Sequence, residues 1–168
     1  MLSKDHVLES ILHECDVCLH LHSNLPEGGL DYRQSETQRT TLEVLRYVSF
    51  CGIGGTRAMI DGNWDAYQEL AKASEELAIA DFPSAMERQK EALSKAFAEL
   101  GDEDLQREVK LPTGKTVSLA QALVEVPLKW MTAYRMQIFL GAKAAGNIEL
   151  RTPDCWAGVS MPREASPA

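Results

Sequence analysis

Trp130-Met131-Thr132-Ala133-Tyr134-Arg135-Met136-Gln137 sits in the middle of a segment, 118–145, whose apolar residues recur at helical spacing. A period of 3.6 places Leu123, Val126, Trp130, Tyr134, Gln137 and Gly141 on one stripe, with Lys129, Thr132, Arg135 and Lys143 on the other side. Trp130 and Tyr134 therefore face the interior, with the Gln137 amide one turn further on. Two readings stay open. The rings fill a core and the amide satisfies the buried phenol, or they surround a small-ligand cavity with polar tips in an apolar wall. Ser118 caps this helix, Gly146-Asn147 closes it, and Pro127 predicts a kink near 123–127.

Upstream of this helix the chain is helical almost throughout. Leu8, Ile11, Leu12, Cys15, Cys18, Leu19 and His22 form a stripe on a first helix over about 3–23, which the Leu25-Pro26-Glu27-Gly28-Gly29 run stops. Thr40 or Thr41, with Glu43 close behind, caps a second helix that runs to about Asp61. Its apolar positions occupy most of the circumference, as in a helix with several neighbours. Gly52, Gly54 and Gly55 interrupt that pattern. Each costs about 1 kcal/mol relative to Ala, so close backbone approach or a bend beside a pocket must offset them. A short amphipathic helix follows over 66–78. Ser84-Ala-Met-Glu87 reads as the capping box of a third bundle helix ending at Leu100-Gly101, and Pro112 and Gly114 lie in a small hairpin or looped excursion over 109–117. The predicted fold is all-α: a four-helix bundle, up-down-down-up or related, with a short extra helix and a small hairpin or loop before the last bundle helix. One domain spans 1–168, with 157–168 an irregular tail that frays beyond Pro162.

Composition narrows the function. At 168 residues, 45% hydrophobic and 25% charged, the chain has no apolar run near the roughly 18 residues of a membrane span. The N-terminus passes straight into a helical pattern with no evident secretory signal, so a cytoplasmic location and no membrane partner are expected. A net charge of -8 argues against nucleic acid as a partner.

The octet resembles the last-helix motif of the DinB/YfiT-like four-helix-bundle family: His, three residues, His, Arg, a small residue, Gln. Glu43-Val44-Leu45-Arg46-Tyr47-Val48 is similar to the second-helix pattern that carries the family's third histidine. The likeness extends to Leu30-Asp-Tyr-Arg-Gln-Ser-Glu36, to the Pro112-Thr-Gly loop and to Pro153-Asp-Cys-Trp-Ala-Gly158. It implies a divalent metal, commonly zinc or nickel, held by three histidines for chemistry such as thiol transfer or hydrolysis. Here Tyr47, Trp130 and Tyr134 stand at those three positions. An indole nitrogen is a donor only, and a phenol with its usual pKa near 10 stays protonated at neutral pH.

We therefore expect no cofactor and no metal ligand, and a ligand pocket of Tyr47, Cys51, Trp130, Tyr134 and Gln137 that takes a small apolar or aromatic molecule. The function expected is a non-catalytic small-ligand-binding or structural protein. The alternative is a metal-dependent hydrolase or low-molecular-weight-thiol S-transferase with substituted ligands, for which His22, Glu43 and Cys51 are the candidate set. His6, His13 and His20, seven apart, lie opposite the first helix's stripe and read as a solvated face. Cys15 and Cys18 read as inert core thiols, since their C-x-x-C lies in mid-helix. Ser49 has no nucleophile elbow around it, and Gly52-Ile-Gly-Gly-Thr56 lacks a phosphate-loop ending. Leu128, Met136 and Phe139 fall on the polar side of the last helix, either as a subunit contact of an expected homodimer or under loop cover.

Overall fold

Ser3 sets the start of α1 (Lys4–Ser23) by accepting the His6 amide at 3.3 Å. The computed structural model describes residues 3–161. Thr40 opens α2 (Thr41–Asp61) through a reciprocal box: its hydroxyl accepts from the Glu43 amide at 3.2 Å while the Glu43 carboxylate accepts from the Thr40 amide at 2.6 Å. Gly62, at φ 72°, ends the helix in the left-handed region that only glycine enters at no steric cost. The short helix α3 (Asp65–Ser74) and then α4 (Phe82–Ala98) follow. The expected Ser84 box does not open α4. Phe82 is fully buried and Pro83 occupies the first turn, where its missing N–H and fixed φ suit a helix start.

The hairpin forms as expected from β1 (Glu108–Lys110) and β2 (Thr116–Ser118), antiparallel, with Val109 opposite Val117. Ser118 then caps α5 (Leu119–Leu123). At the predicted kink the chain makes one π-helical turn, Val124–Leu128, and resumes as α6 (Lys129–Ala144). Pro127 lies within that turn, because a residue without an N–H cannot donate to the α-helical ladder. A last helix, α7 (Thr152–Ala157), ends at Gly158. Residues 158–161 have no regular structure, and the fraying expected beyond Pro162 lies outside the described residues.

The bundle is ordered so that α1 and α2 each pack on both α4 and α6 and stand diagonally across from each other, while α3 lies along the outside of α2. Ile11, Leu21, Leu45, Met86, Leu93, Leu123, Met131 and Ile138 fill the centre, all fully buried. Gly52, Gly54 and Gly55 do not interrupt α2. All three are buried where a neighbour comes close: a Cβ at Gly54 would lie 2.9 Å from a Tyr67 ring carbon, and one at Gly55 3.3 Å from Val126. Close approach is thus what offsets their helix cost. Among the described residues no helix is long and apolar enough to cross a membrane. The all-α class expected from the periodicity is the class observed.

Candidate functional site

Three elements bring six aromatic rings together on one side of the bundle. From α2 come Tyr47 and Phe50, from the start of α3 Trp64 and Tyr67, and from α6 Trp130 and Tyr134. The Tyr47 and Tyr134 ring centroids are 4.4 Å apart, Tyr47 meets Phe50 edge-on at 5.4 Å, and Phe50 meets Tyr67 at 5.3 Å. Trp130 lies 6.0 Å from Tyr67 and 6.1 Å from Trp64. These tilted and edge-on arrangements suit ring quadrupoles and add to the area buried. Gly54 is what lets Tyr67 come this close to α2.

Arg39, on the exposed loop before α2, closes this cluster. Its guanidinium carbon sits 4.6 Å from the Tyr47 ring centre and 5.3 Å from that of Tyr134, and Nη1 donates to the Tyr134 hydroxyl at 2.7 Å. The faces of two rings and a phenol oxygen therefore hold one fixed cation. The Tyr67 and Tyr47 hydroxyls approach to 3.5 Å, and burial holds the Tyr47 phenol well above its ordinary pKa.

Of the five expected pocket residues, the structure brings Tyr47, Trp130 and Tyr134 together. Cys51 points into the core with its Sγ 3.4 Å from Met131 Sδ, and Gln137 is exposed, beside a small recess of about 40 Å³ near Arg33 and Arg39. The stripe expected on the last helix is displaced by one residue over most of its length: Met131, Arg135, Ile138 and Ala142 are buried, whereas Trp130 and Tyr134 are half-buried, and of the expected residues on α6 Gly141 alone is buried. The π turn is the cause. It inserts one residue ahead of α6, so the face that Leu123 and Val126 begin continues through the residue after each expected one. Arg135, expected on the polar side, is turned into the protein.

There it meets Glu14 on α1, which sequence reasoning left unremarked. Arg135 Nε and Glu14 Oε2 approach to 2.9 Å, with side chains only 4% and 10% exposed. The contact is an ion pair by distance, yet it is not aligned as a hydrogen bond, so both atoms lack a hydrogen-bond partner among the described residues. Arg135 Nη1 also donates to the Cys155 carbonyl, and its guanidinium carbon lies 5.6 Å from the Trp156 ring centre. Burial raises the Glu14 carboxyl above its ordinary pKa more strongly than Arg135 lowers it. The pair floors an open cleft of about 630 Å³ between α1, α6 and α7, bordered by His6, His13 and Trp156.

The histidine face of α1 is not simply solvated. His13 Nε2 donates to the Trp156 carbonyl at 2.8 Å and His20 Nε2 meets the Asp154 carboxylate at 2.8 Å, because α7 folds back over that face. Only His6 keeps a wholly local role, bonding to Ser3 at the cap. His22 stacks near Phe82 at 4.8 Å and Glu43 is engaged in the α2 cap. No group of three His, Cys, Asp or Glu side chains among the described residues is placed to hold a metal ion.

Cys15, Cys18, Cys51 and Cys155 are all buried and free. Burial pushes the Cys15 thiol up to about 12 and those of Cys18 and Cys51 well above the ordinary value, and raises Cys155 as well. A thiol held protonated is a poor nucleophile. In native protein a disulfide reagent should therefore titrate these four thiols only at the rate of unfolding. Fast stoichiometric labelling of any of them would contradict this burial. Of the expected apolar trio, Met136 and Phe139 lie on α6 and Leu128 ends the π turn; Met136 is exposed, Leu128 and Phe139 are half-buried, and Leu140 is a further exposed residue.

The architecture defines an all-α bundle of the DinB-like kind. It is similar to the crystal structure of a DinB-like protein, YjoA, from Bacillus subtilis, with a TM-score of 0.66, 17% sequence identity, and coverage of 83% of this chain and 92% of that one. No family model and no curated relative matches the sequence.

Proposed function

We propose that this chain is a non-catalytic member of the DinB-like group that binds a small apolar or aromatic molecule at the Tyr47, Trp130 and Tyr134 cluster, with no resident metal. The observation that carries this reading is the seat of Arg39. Two of the three positions where the family resemblance implies histidines meet at 4.4 Å, and the charge held against them belongs to the chain itself. The donor set does not fit a divalent ion. The Tyr47 phenol is held neutral, the Trp130 indole has no lone pair to offer, and a guanidinium 2.7 Å from the Tyr134 oxygen repels a second cation. Half-buried ring faces under a removable side chain suit a flat apolar ligand that stacks where Arg39 now lies.

Displacing Arg39 costs its contact with the rings, about 0.5–1 kcal/mol for an exposed cation over an aromatic face. Arg39→Ala should therefore tighten binding of an aromatic ligand by roughly two- to five-fold. Intrinsic tryptophan and tyrosine fluorescence read during titration with a panel of simple aromatic compounds gives the affinities. No quenching with any compound, in wild type and variant alike, leaves the cluster a structural element. Stoichiometric zinc or nickel in elemental analysis of the purified protein would reverse the proposal in favour of a metal-dependent hydrolase or thiol S-transferase.

A further inference from the structure

A second apolar depression lies on the outer side of α2, away from Arg39. α3 and α4 both pack on α2 and hardly touch each other, so a trough of about 340 Å³ runs between them. Phe50 and Ile53 form its floor, Leu70 and Leu77 one wall, and Ala85 and Ala92 the other. Along α4 the wall is about 10 Å long. The helix that forms the first wall has no buried residue, so its apolar side is covered only in part.

The polar groups of this lining are nearly all used within the protein. Ser49 donates its hydroxyl to the Arg46 carbonyl and Ser74 to that of Ala71, each at 2.7 Å. The Gln89 amide donates to the Val48 carbonyl at 2.8 Å and accepts from the Ile53 amide at 3.1 Å. What remains is Arg88. It is the one ionisable side chain of the lining, it is exposed, and it makes no hydrogen bond or ion pair among the described residues. The trough is thus chemically apolar with a single uncommitted cation at its edge.

We infer that the trough between α3 and α4 binds a small amphiphile with a carboxylate head, the alkyl chain lying over Phe50 and Ile53 and the head on Arg88. Charge complementarity selects the head group and the exhausted hydrogen-bonding capacity of the walls selects the chain. The site shares the Phe50 ring with the aromatic cluster but neither of the rings that hold Arg39.

Calorimetric titration with octanoate, 1-octanol and octylamine tests the assignment on the full chain. Octanoate should bind more tightly than the alcohol, and the amine least. Arg88→Gln, at an exposed position where folding is not at risk, should weaken octanoate by about fivefold and leave octanol unchanged. Ala73→Phe, which fills the trough from its exposed rim, should weaken both. Arg39→Ala should change neither, which separates this site from the aromatic cluster. Equal affinity for octanoate and octylamine, an unchanged octanoate affinity in Arg88→Gln, or no binding of octanoate at millimolar concentration overturns the inference.

Discussion

Arg135→Ala should lower the unfolding free energy by about 3 kcal/mol at neutral pH, the range measured when one partner of a buried ion pair is removed. With Glu14 and Arg135 side chains 10% and 4% exposed, solvent does little to screen the charge left behind. The guanidinium also holds the Cys155 carbonyl and lies beside Trp156, so its loss removes part of the hold on α7 and leaves that of His13 and His20. For a chain of this size the melting temperature should fall by about 6–12 °C. The double variant Glu14→Leu/Arg135→Met should recover most of that loss, since an apolar pair of similar volume commonly replaces a buried ion pair at no cost. A double variant as unstable as Arg135→Ala would show that the pair's charge, and not its burial, holds the three helices together.

The same pair sets a pH signature. Glu14 has a folded pKa above its ordinary 4.5, so between the two values the folded protein holds more protons than the unfolded chain. Its contribution to stability is complete below the unfolded value and is lost as pH rises through the folded one. Denaturant unfolding of wild type and Glu14→Gln across this window should show the variant gaining relative to wild type as pH rises from 4.5. A constant difference would mean that the carboxyl is not desolvated as its burial demands.

Gln89 should give the second large effect. Its side-chain amide is 3% exposed and bridges two backbone groups of α2, the Val48 carbonyl and the Ile53 amide. Gln89→Ala removes both bonds and leaves a void, at a cost of about 3 kcal/mol. The bridge fits only because position 52 has no side chain: a Cβ there would lie 3.0 Å from the Gln89 amide oxygen. Two opposed terms decide the outcome at Gly52. Alanine adds about 1 kcal/mol of helix propensity, whereas breaking the buried contact to Ile53 costs about 1–3 kcal/mol. Gly52→Ala should therefore destabilise wild type, and it should stabilise the Gln89→Ala background, where no oxygen stands in the way. Additive effects at the two positions would mean that the glycine is there for another reason.

Much of the fold was readable because its signals are local. Thr40 and Ser118 cap their helices within three residues, Gly62 stops α2 by its own φ, and the hairpin follows from a Pro and a Gly in the five-residue loop between two short strands. The aromatic meeting of Tyr47 with Tyr134 was legible from the likeness of two short stretches to one family pattern, since those positions belong to facing helices. The inclusion of Gln137 failed for a single geometrical cause. Counting a constant 100° per residue across Pro127 ignores the residue that the π turn inserts, so the buried face runs through Met131, Arg135, Ile138 and Ala142, beside Gly141, and leaves Gln137 outside. Phe50, Trp64, Tyr67 and Arg39 complete the cluster from elements whose mutual placement no spacing encodes.

The sequence by itself determined that this chain is helical, where most of its helices begin and end, and that phenols and an indole stand where the resemblance places imidazoles. Caps, breakers and periodicity act within a few residues, and side-chain chemistry is fixed by identity alone. Tertiary structure decided which face of α6 looks inward, that Glu14 meets Arg135 across the bundle, that Arg39 covers the rings, and that Arg88 lies at the edge of an apolar trough. Each of these depends on the angle at which one helix meets another, a quantity set by packing of the whole chain and carried by no short segment of it.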